Sequence, residues 1–121
     1  MPRPVELNLH KQSRVLDIVF DDGTKAALSC EYLRVYSPSA EVRGHGPKDA
    51  VLQTGKESVT INGIEPVGNY AVKLVFSDGH STGLYTWEYL YDLAVNRESR
   101  WQDYLNRLRA AGYHRDTKGS Q

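Results

Sequence analysis

Four histidines and one cysteine are the residues of this chain that could take part in metal or proton chemistry. His80 follows an Asp-Gly pair, where an imidazole can ligate a metal or carry a proton, although the position on its own favours a surface turn histidine. His45 lies between Gly44 and Gly46 without the lysine and hydroxyl of a phosphate-binding loop, which favours a glycine-rich turn. His80 is therefore the candidate metal ligand.

The other reactive groups do not complete a catalytic pattern. His114 and Asp116 have the spacing of half a non-haem iron triad, but the second histidine that the triad needs further along is missing. Cys30 and the serines lack a Gly-x-Ser-x-Gly elbow or a comparable signature of nucleophilic catalysis. Asp21 and Asp22 lie in an Asp-Asp-Gly run, which turn formation explains better than paired acid and base. We expect a protein that is not an enzyme.

Composition limits the partners and the compartment. Fifteen basic residues balance fifteen acidic ones, so no net field attracts nucleic acid or an anionic membrane. The single cysteine excludes an internal disulfide and fits a reducing compartment, where Cys30 should act as a small buried hydrophobe. The N-terminal residues lack an apolar signal segment, and no run approaches the roughly 18 apolar residues of a membrane helix. We expect a cytoplasmic protein that binds neither nucleic acid nor membrane.

The elements that must position these side chains occur twice. An alternating run that ends in Asp-Gly, a second short run and a Glu-Tyr-Leu segment lie at 16–33 and again at 72–90. Asp-Gly predicts a hairpin with a type I′ turn, and Ser29 and Thr86 can cap the helices that follow. Two β-β-α units are therefore predicted. Alternation predicts that the buried strand residues are Leu16, Ile18, Phe20, Val72, Leu74 and Phe76.

Further elements complete an α+β domain. The additional predictions are strands at Val5–Leu9 and Val59–Ile61, a turn at Asn62-Gly63, a short helix in Tyr36–Glu41 capped by Ser37, and a helix at Ser99–Ala111. Tight hairpins force neighbouring strands to be antiparallel, so we expect a mainly antiparallel sheet with helices packed on one face. Residues 1–112 should form a single domain, followed by a disordered tail at 113–121.

Three segments resemble the gamma-butyrobetaine hydroxylase-like N-terminal domain family: YLRVYSPSAEVRGHG at 32–46, IEPVGNYAV at 64–72 and FSDGHSTGLYTWEYL at 76–90. The resemblance extends from about Val5 to about Ala111. It implies a domain that in bacteria is often free-standing or joined to P-loop ATPases of the iron–sulfur carrier type. In the related hydroxylases, oxygen chemistry belongs to a following iron and 2-oxoglutarate domain for which this chain has no room. The resemblance therefore does not imply hydroxylase activity.

In the eukaryotic hydroxylases, this domain resembles a zinc-binding module with three cysteines after a Leu-Arg pair and a histidine from a later hairpin. The matching positions here are Ser37, Ser39 and Val42, after Leu33-Arg34, and His80. Hydroxyls and valine cannot supply the thiolates of a structural zinc site. No cofactor is therefore expected. The alternative is a different zinc or iron site that combines His80 with His45, Asp78 or Glu41.

The two copies agree in their turns and Glu-Tyr-Leu segments but differ at Thr24 and His80, which directs attention to the second hairpin and to the 37–46 loop. We hypothesise a non-catalytic accessory or interaction domain linked to iron–sulfur or metal-cofactor handling. Its protein partner would be a P-loop iron–sulfur carrier ATPase. A metal-binding domain that uses His80 is the alternative. The predicted binding surface comprises Arg34, Ser37, Ser39, Glu41, Arg43, His45, Asp78 and His80.

Overall fold

The computed structural model of the chain describes residues 2–39, 42 and 52–115. The first elements are β1 (Pro4–His10), β2 (Val15–Phe20), β3 (Lys25–Ser29) and α1 (Cys30–Val35). They are followed by β4 (Ile61–Val67), β5 (Ala71–Phe76), β6 (Leu84–Thr86), α2 (Trp87–Val95) and α3 (Arg97–Ala110). Strands β1-β2-β3 form one antiparallel sheet and β4-β5-β6 form another. The predicted α+β fold is confirmed, with the strands divided between two sheets.

The duplication includes a third strand in each copy. Elements β1, β2, β3 and α1 correspond in order to β4, β5, β6 and α2. The first strand of each copy also shifts its pairing register at the equivalent point, between Pro4 and Glu6 in β1 and between Ile61 and Gly63 in β4. The repeat unit is therefore β-β-β-α, and the predicted β-β-α unit was incomplete.

This register shift explains a wrong turn prediction. Asn62-Gly63 lies within β4 and not in a turn, and the predicted strand Val59–Ile61 contributes only its last residue to β4. A β-bulge breaks the regular pairing, and glycine inside a strand often marks one. An Asn-Gly pair can therefore occur inside a strand.

Both Asp-Gly hairpins are confirmed, but their turns are not type I′. Gly23 and Gly79 have φ angles of 89° and 91°, whereas no described aspartate has a positive φ. The Gly23 amide donates to the Phe20 carbonyl at 3.0 Å, and the Phe20 amide donates to the Thr24 carbonyl at 2.8 Å. This pattern, repeated in the second hairpin, is a type I turn followed by a left-handed glycine. It makes His80 the first pairing residue after the second turn.

The predicted strand core and the predicted caps are confirmed. Ser29 Oγ accepts from the Tyr32 amide at 3.0 Å, and Thr86 Oγ1 accepts from the Tyr89 amide at 3.1 Å. Cys30 is fully buried, as predicted. In the described part of the chain, no helix is long and apolar enough to cross a membrane. The strand residues that are at most 3% exposed include Leu16, Ile18, Phe20, Val72, Leu74 and Phe76.

The start of the predicted tail contacts the domain. The Tyr113 hydroxyl donates to the Glu57 carboxylate at 3.0 Å. Arg115 forms an ion pair with the buried Glu31 and donates to it through Nε at 2.8 Å. The packed part of the chain therefore extends to Arg115, and residues 116–121 lie outside the described residues.

Candidate functional site

The two copies are joined by equivalent hydrogen bonds. The Tyr32 hydroxyl of α1 donates to the Leu93 carbonyl of α2 at 2.7 Å, and the equivalent Tyr89 hydroxyl donates to the Tyr36 carbonyl at 2.7 Å. Burial raises the pKa of Tyr32, so its hydroxyl keeps its proton near neutral pH. These bonds place the segment that follows α1 beside the second copy.

The aspartate of each hairpin turn binds the helix of the other copy. Asp22 Oδ2 accepts from the Tyr91 hydroxyl at 2.7 Å, and Asp78 Oδ2 accepts from Arg34 Nε at 2.9 Å. Tyr91 and Arg34 each follow the Glu-Tyr-Leu segment of their own copy. The two equivalent contacts therefore differ: Asp22 accepts from the neutral hydroxyl of Tyr91, whereas Asp78 forms an ion pair with Arg34.

Asp78 is the centre of a polar cluster. Its Oδ2 also accepts from Lys56 Nζ at 2.7 Å, and its Oδ1 accepts from the His80 amide at 3.2 Å. Partial burial acts to raise the pKa of Asp78, but the bonds from Lys56, the His80 amide and Arg34 outweigh burial and lower the pKa to about 2. Arg34 is 7% exposed and also donates to Gln53 Oε1 at 3.1 Å. The protein itself therefore uses this carboxylate as a structural anion.

Ser37 and His80 share a buried hydrogen bond next to this cluster. Ser37 Oγ lies 2.8 Å from His80 Nε2, and the two residues are 1% and 7% exposed. Ser37 Oγ also accepts from the Ser39 amide at 3.2 Å. Residues 36–39 are not helical, and residues 40 and 41 of the predicted helix lie outside the described residues. The equivalent residues in the other copy are Ala94 and Thr24, and alanine cannot make this bond. The contact is therefore specific to one side of the duplicated framework.

The second hairpin leaves no spare room around Ser37. Gly83 is buried, and a Cβ atom at this position would overlap Ser37 Oγ and lie 3.2 Å from Pro38 Cδ. Ser39 Oγ shares a hydrogen bond of 2.7 Å with Thr82 Oγ1. The segment after α1 is therefore fastened to the second hairpin at two points.

The structure brings together five of the eight residues predicted as a binding surface, namely Arg34, Ser37, Ser39, Asp78 and His80. All of these except Asp78 are at most 7% exposed, so they mainly build the framework of the site. Glu41, Arg43 and His45 lie outside the described residues. Sequence reasoning missed Lys56 and Gln53, which lie in a connector without a recognisable motif.

The residues at the zinc positions of the family do not fit a structural zinc ion. These positions hold Ser37, Ser39, Val42 and His80, whereas such sites use thiolates and imidazoles. His80 Nε2 is hydrogen-bonded to Ser37 Oγ. Within residues 2–39, 42 and 52–115, no three His, Cys, Asp or Glu residues are grouped closely enough to hold a metal. Of the four family positions, only His80 offers a side chain that zinc prefers.

An open groove of about 610 Å³ along α2 forms the exposed part of the candidate site. Pro38, directly after Ser37, lines it together with Leu84 and Val95. Leu84 is 38% exposed and Val95 is 53% exposed. Glu88 places a negative charge on the same helix, whereas Asp92 on this helix is ion-paired with Arg100 of α3. Single exposed apolar residues are common, but two on one concave surface are typical of a binding site.

Two β-β-β-α copies joined by reciprocal bonds define a small duplicated α+β domain whose polar cluster is bonded internally. Residues 7–91 match the family described as gamma-butyrobetaine hydroxylase-like, N-terminal, and the chain belongs to that family. The match is to the N-terminal domain that this description names.

Solved structures share this fold. One NMR solution structure is 60% identical, with a TM-score of 0.81 over 95% of this chain and 86% of the other. A second is 49% identical, with a TM-score of 0.83 over 96% and 91%. A crystal structure from Acidithiobacillus ferrooxidans, of a protein with unknown function in the DUF971 family, is 43% identical, with a TM-score of 0.64 over 75% and 91%. Among proteins with curated functions, none matches the chain.

Proposed function

We propose that this chain is a cytoplasmic, non-catalytic domain that binds a protein partner through the groove along α2. The observation that carries this proposal is the exposure of Leu84 and Val95 on one concave surface beside an internally bonded polar cluster. Covering the exposed part of either side chain would contribute about 1 kcal/mol to association. A partner with a complementary apolar surface would therefore gain affinity at this position.

The polar cluster supports a structural role better than a catalytic one. A general base or nucleophile must reach a substrate, whereas His80 Nε2 bonds Ser37 and Asp78 lies between Arg34 and Lys56. Using Asp78 in catalysis would leave the buried charge of Arg34 without its ionic partner, which is costly. The cluster instead bonds Ser37, and Pro38, the next residue, lines the groove.

The family resemblance suggests a P-loop ATPase of the iron–sulfur carrier type as the partner, which would link the domain to metal-cofactor handling. Isothermal titration calorimetry of the full chain against such a purified ATPase tests this. Val95→Asp puts a charge into the groove and should weaken binding at least about tenfold. Val5→Asp, at a valine that is 65% exposed on β1, should not. Equal affinities of both variants would overturn the assignment of the groove as the binding surface. Absence of binding would overturn this choice of partner.

Metal binding through His80 remains the alternative proposal. In that case His80 Nε2 would exchange its bond to Ser37 for the metal, and Asp78 would exchange Arg34 or Lys56. The first exchange removes one of the two contacts that fasten the segment after α1, and the second removes an ion pair of the polar cluster. The metal content of the purified protein separates the two proposals.

A further inference from the structure

Equivalent tyrosines in the two copies have different surroundings. Tyr32 and Tyr89 each donate a hydrogen bond to the other copy and follow equivalent helix caps. Tyr32 is 1% exposed, whereas Tyr89 is only partly buried. Trp101 of α3 packs on Tyr32 with a ring centroid distance of 6.4 Å and an angle of 75°. The chain therefore covers the tyrosine of its first copy with its own last helix.

The glutamates that precede these tyrosines differ in the same way. Glu31 is 4% exposed and ion-paired with Arg115, and the Arg115 guanidinium lies 5.2 Å from the centre of the Trp101 ring. The equivalent Glu88 is exposed and has no ion pair with another described residue. In the first copy, one helix and the residues after it therefore supply an aromatic ring and a cation together.

The cavities beside the two helices correspond to each other. Ser29 and Tyr32 line a cavity of about 790 Å³ whose remaining wall is formed by α3. Their equivalents Thr86 and Tyr89 line the groove along α2, where Val95 remains exposed to solvent. The groups that pack around Tyr32 therefore indicate which kinds of side chain would fit against Tyr89.

We propose that the groove along α2 binds an amphipathic helix of a partner protein. The helix places an aromatic side chain on Tyr89, and an arginine or lysine in the residues that follow the helix pairs with Glu88, as Trp101 of α3 and Arg115 after α3 do for Tyr32 and Glu31. This proposal rests on the proposed function and names the chemistry of the partner. Asp92 is ion-paired with Arg100, whereas the exposed Glu88 has no ion pair with another described residue, so the groove offers one acidic group that a basic side chain of the helix can pair with.

A synthetic peptide of residues 96–115, helix-stabilised only within residues 97–110, tests the proposal, because it carries Trp101 and leaves Arg115 free to turn back as it does in the chain. Titration into isotope-labelled full chain, followed by amide NMR, should give saturable shifts around Glu88 and Val95. A Trp101→Ala peptide should bind at least about tenfold more weakly. A Glu88→Arg protein should also bind the peptide more weakly, and an Arg115→Glu peptide should restore its affinity.

Three results would overturn this inference: no saturable shifts at Val95, equal binding of the Trp101→Ala peptide, or shifts confined to the surroundings of Tyr32. The ATPase titration distinguishes a failure of this inference from a failure of the proposed function. If Val95→Asp weakens ATPase binding but the peptide does not bind, the interaction role stands and the aromatic helix is wrong. If the peptide binds and the ATPase does not, the groove chemistry stands and the choice of ATPase is wrong.

Discussion

Gly83→Ala selectively perturbs the contact between Ser37 and His80 without removing any of its polar groups. The new methyl group would overlap Ser37 Oγ and lie 3.2 Å from Pro38 Cδ and 3.3 Å from Tyr85 Cε1. Ser37 can yield only if its hydroxyl rotates or its segment moves. Either change disrupts the 2.8 Å hydrogen bond to His80.

The expected cost has two parts. Disrupting a buried hydrogen bond costs about 1–3 kcal/mol, and the tight contacts with Pro38 and Tyr85 add about 1 kcal/mol. We therefore expect Gly83→Ala to lower the free energy of unfolding by about 2–4 kcal/mol. Gly63→Ala is the matched control, because its Cβ would meet Val75 Cβ at an ordinary 3.7 Å. The control should change stability by less than about 1 kcal/mol.

Urea unfolding measured by tryptophan fluorescence gives these values, since both tryptophans pack against the core. The double variant Ser37→Ala/Gly83→Ala is the decisive comparison. Without Ser37 Oγ, the methyl group at Gly83 should cost at least about 1 kcal/mol less than it does in the wild-type chain. The same cost on both backgrounds would refute the reasoning, as would a Gly83→Ala variant no less stable than Gly63→Ala.

Three further predictions concern the ion cluster, metal content and helix caps. The pKa of Asp78 is lowered from 3.8 to about 2. Its ionised form therefore stabilises the fold above about pH 4, and roughly 1 kcal/mol, reduced for solvent exposure, should be lost as pH falls from about 4 to about 2. Urea unfolding across this range should show that loss in wild type but not in Asp78→Asn, and parallel profiles would contradict it. Elemental analysis of untagged protein should find no stoichiometric zinc or iron; stoichiometric metal that disappears in His80→Ala would establish the alternative. Ser29→Ala and Thr86→Ala should each cost about 1 kcal/mol in urea unfolding, and a negligible cost for either would contradict its capping role.

Features that depend on neighbouring residues could be predicted from the sequence. Ser29 and Thr86 cap helices that begin at the next residue, and the Asp-Gly pairs make hairpins with the strands that flank them. The prediction of the turn type was wrong because Asp-Gly fits both a two-residue type I′ loop and a longer loop with a left-handed glycine. The third strand of each unit was not recognised as part of the repeat, because β1 and β4 share a position and a bulge but no sequence motif.

Long-range contacts could be anticipated only where the copies differ. The contrast between Thr24 and His80 drew attention to the second hairpin, but the bond from His80 to Ser37 joins residues 43 positions apart. Lys56 reaches Asp78 from a connector whose sequence has no periodicity that would predict this contact. The groove depends on how α2 packs against the segment after α1, which local propensity does not determine.

A photo-crosslinking side chain at Val95 tests most directly whether a protein docks in the groove along α2. The full chain carries benzoylphenylalanine at Val95 or, as a control, at the exposed Val5, and is irradiated in its own cells. We predict a covalent adduct with one defined protein from position 95 that is absent from position 5 and reduced by Glu88→Arg. No adduct from position 95, or the same adducts from both positions, would contradict the assignment of this groove as the binding surface.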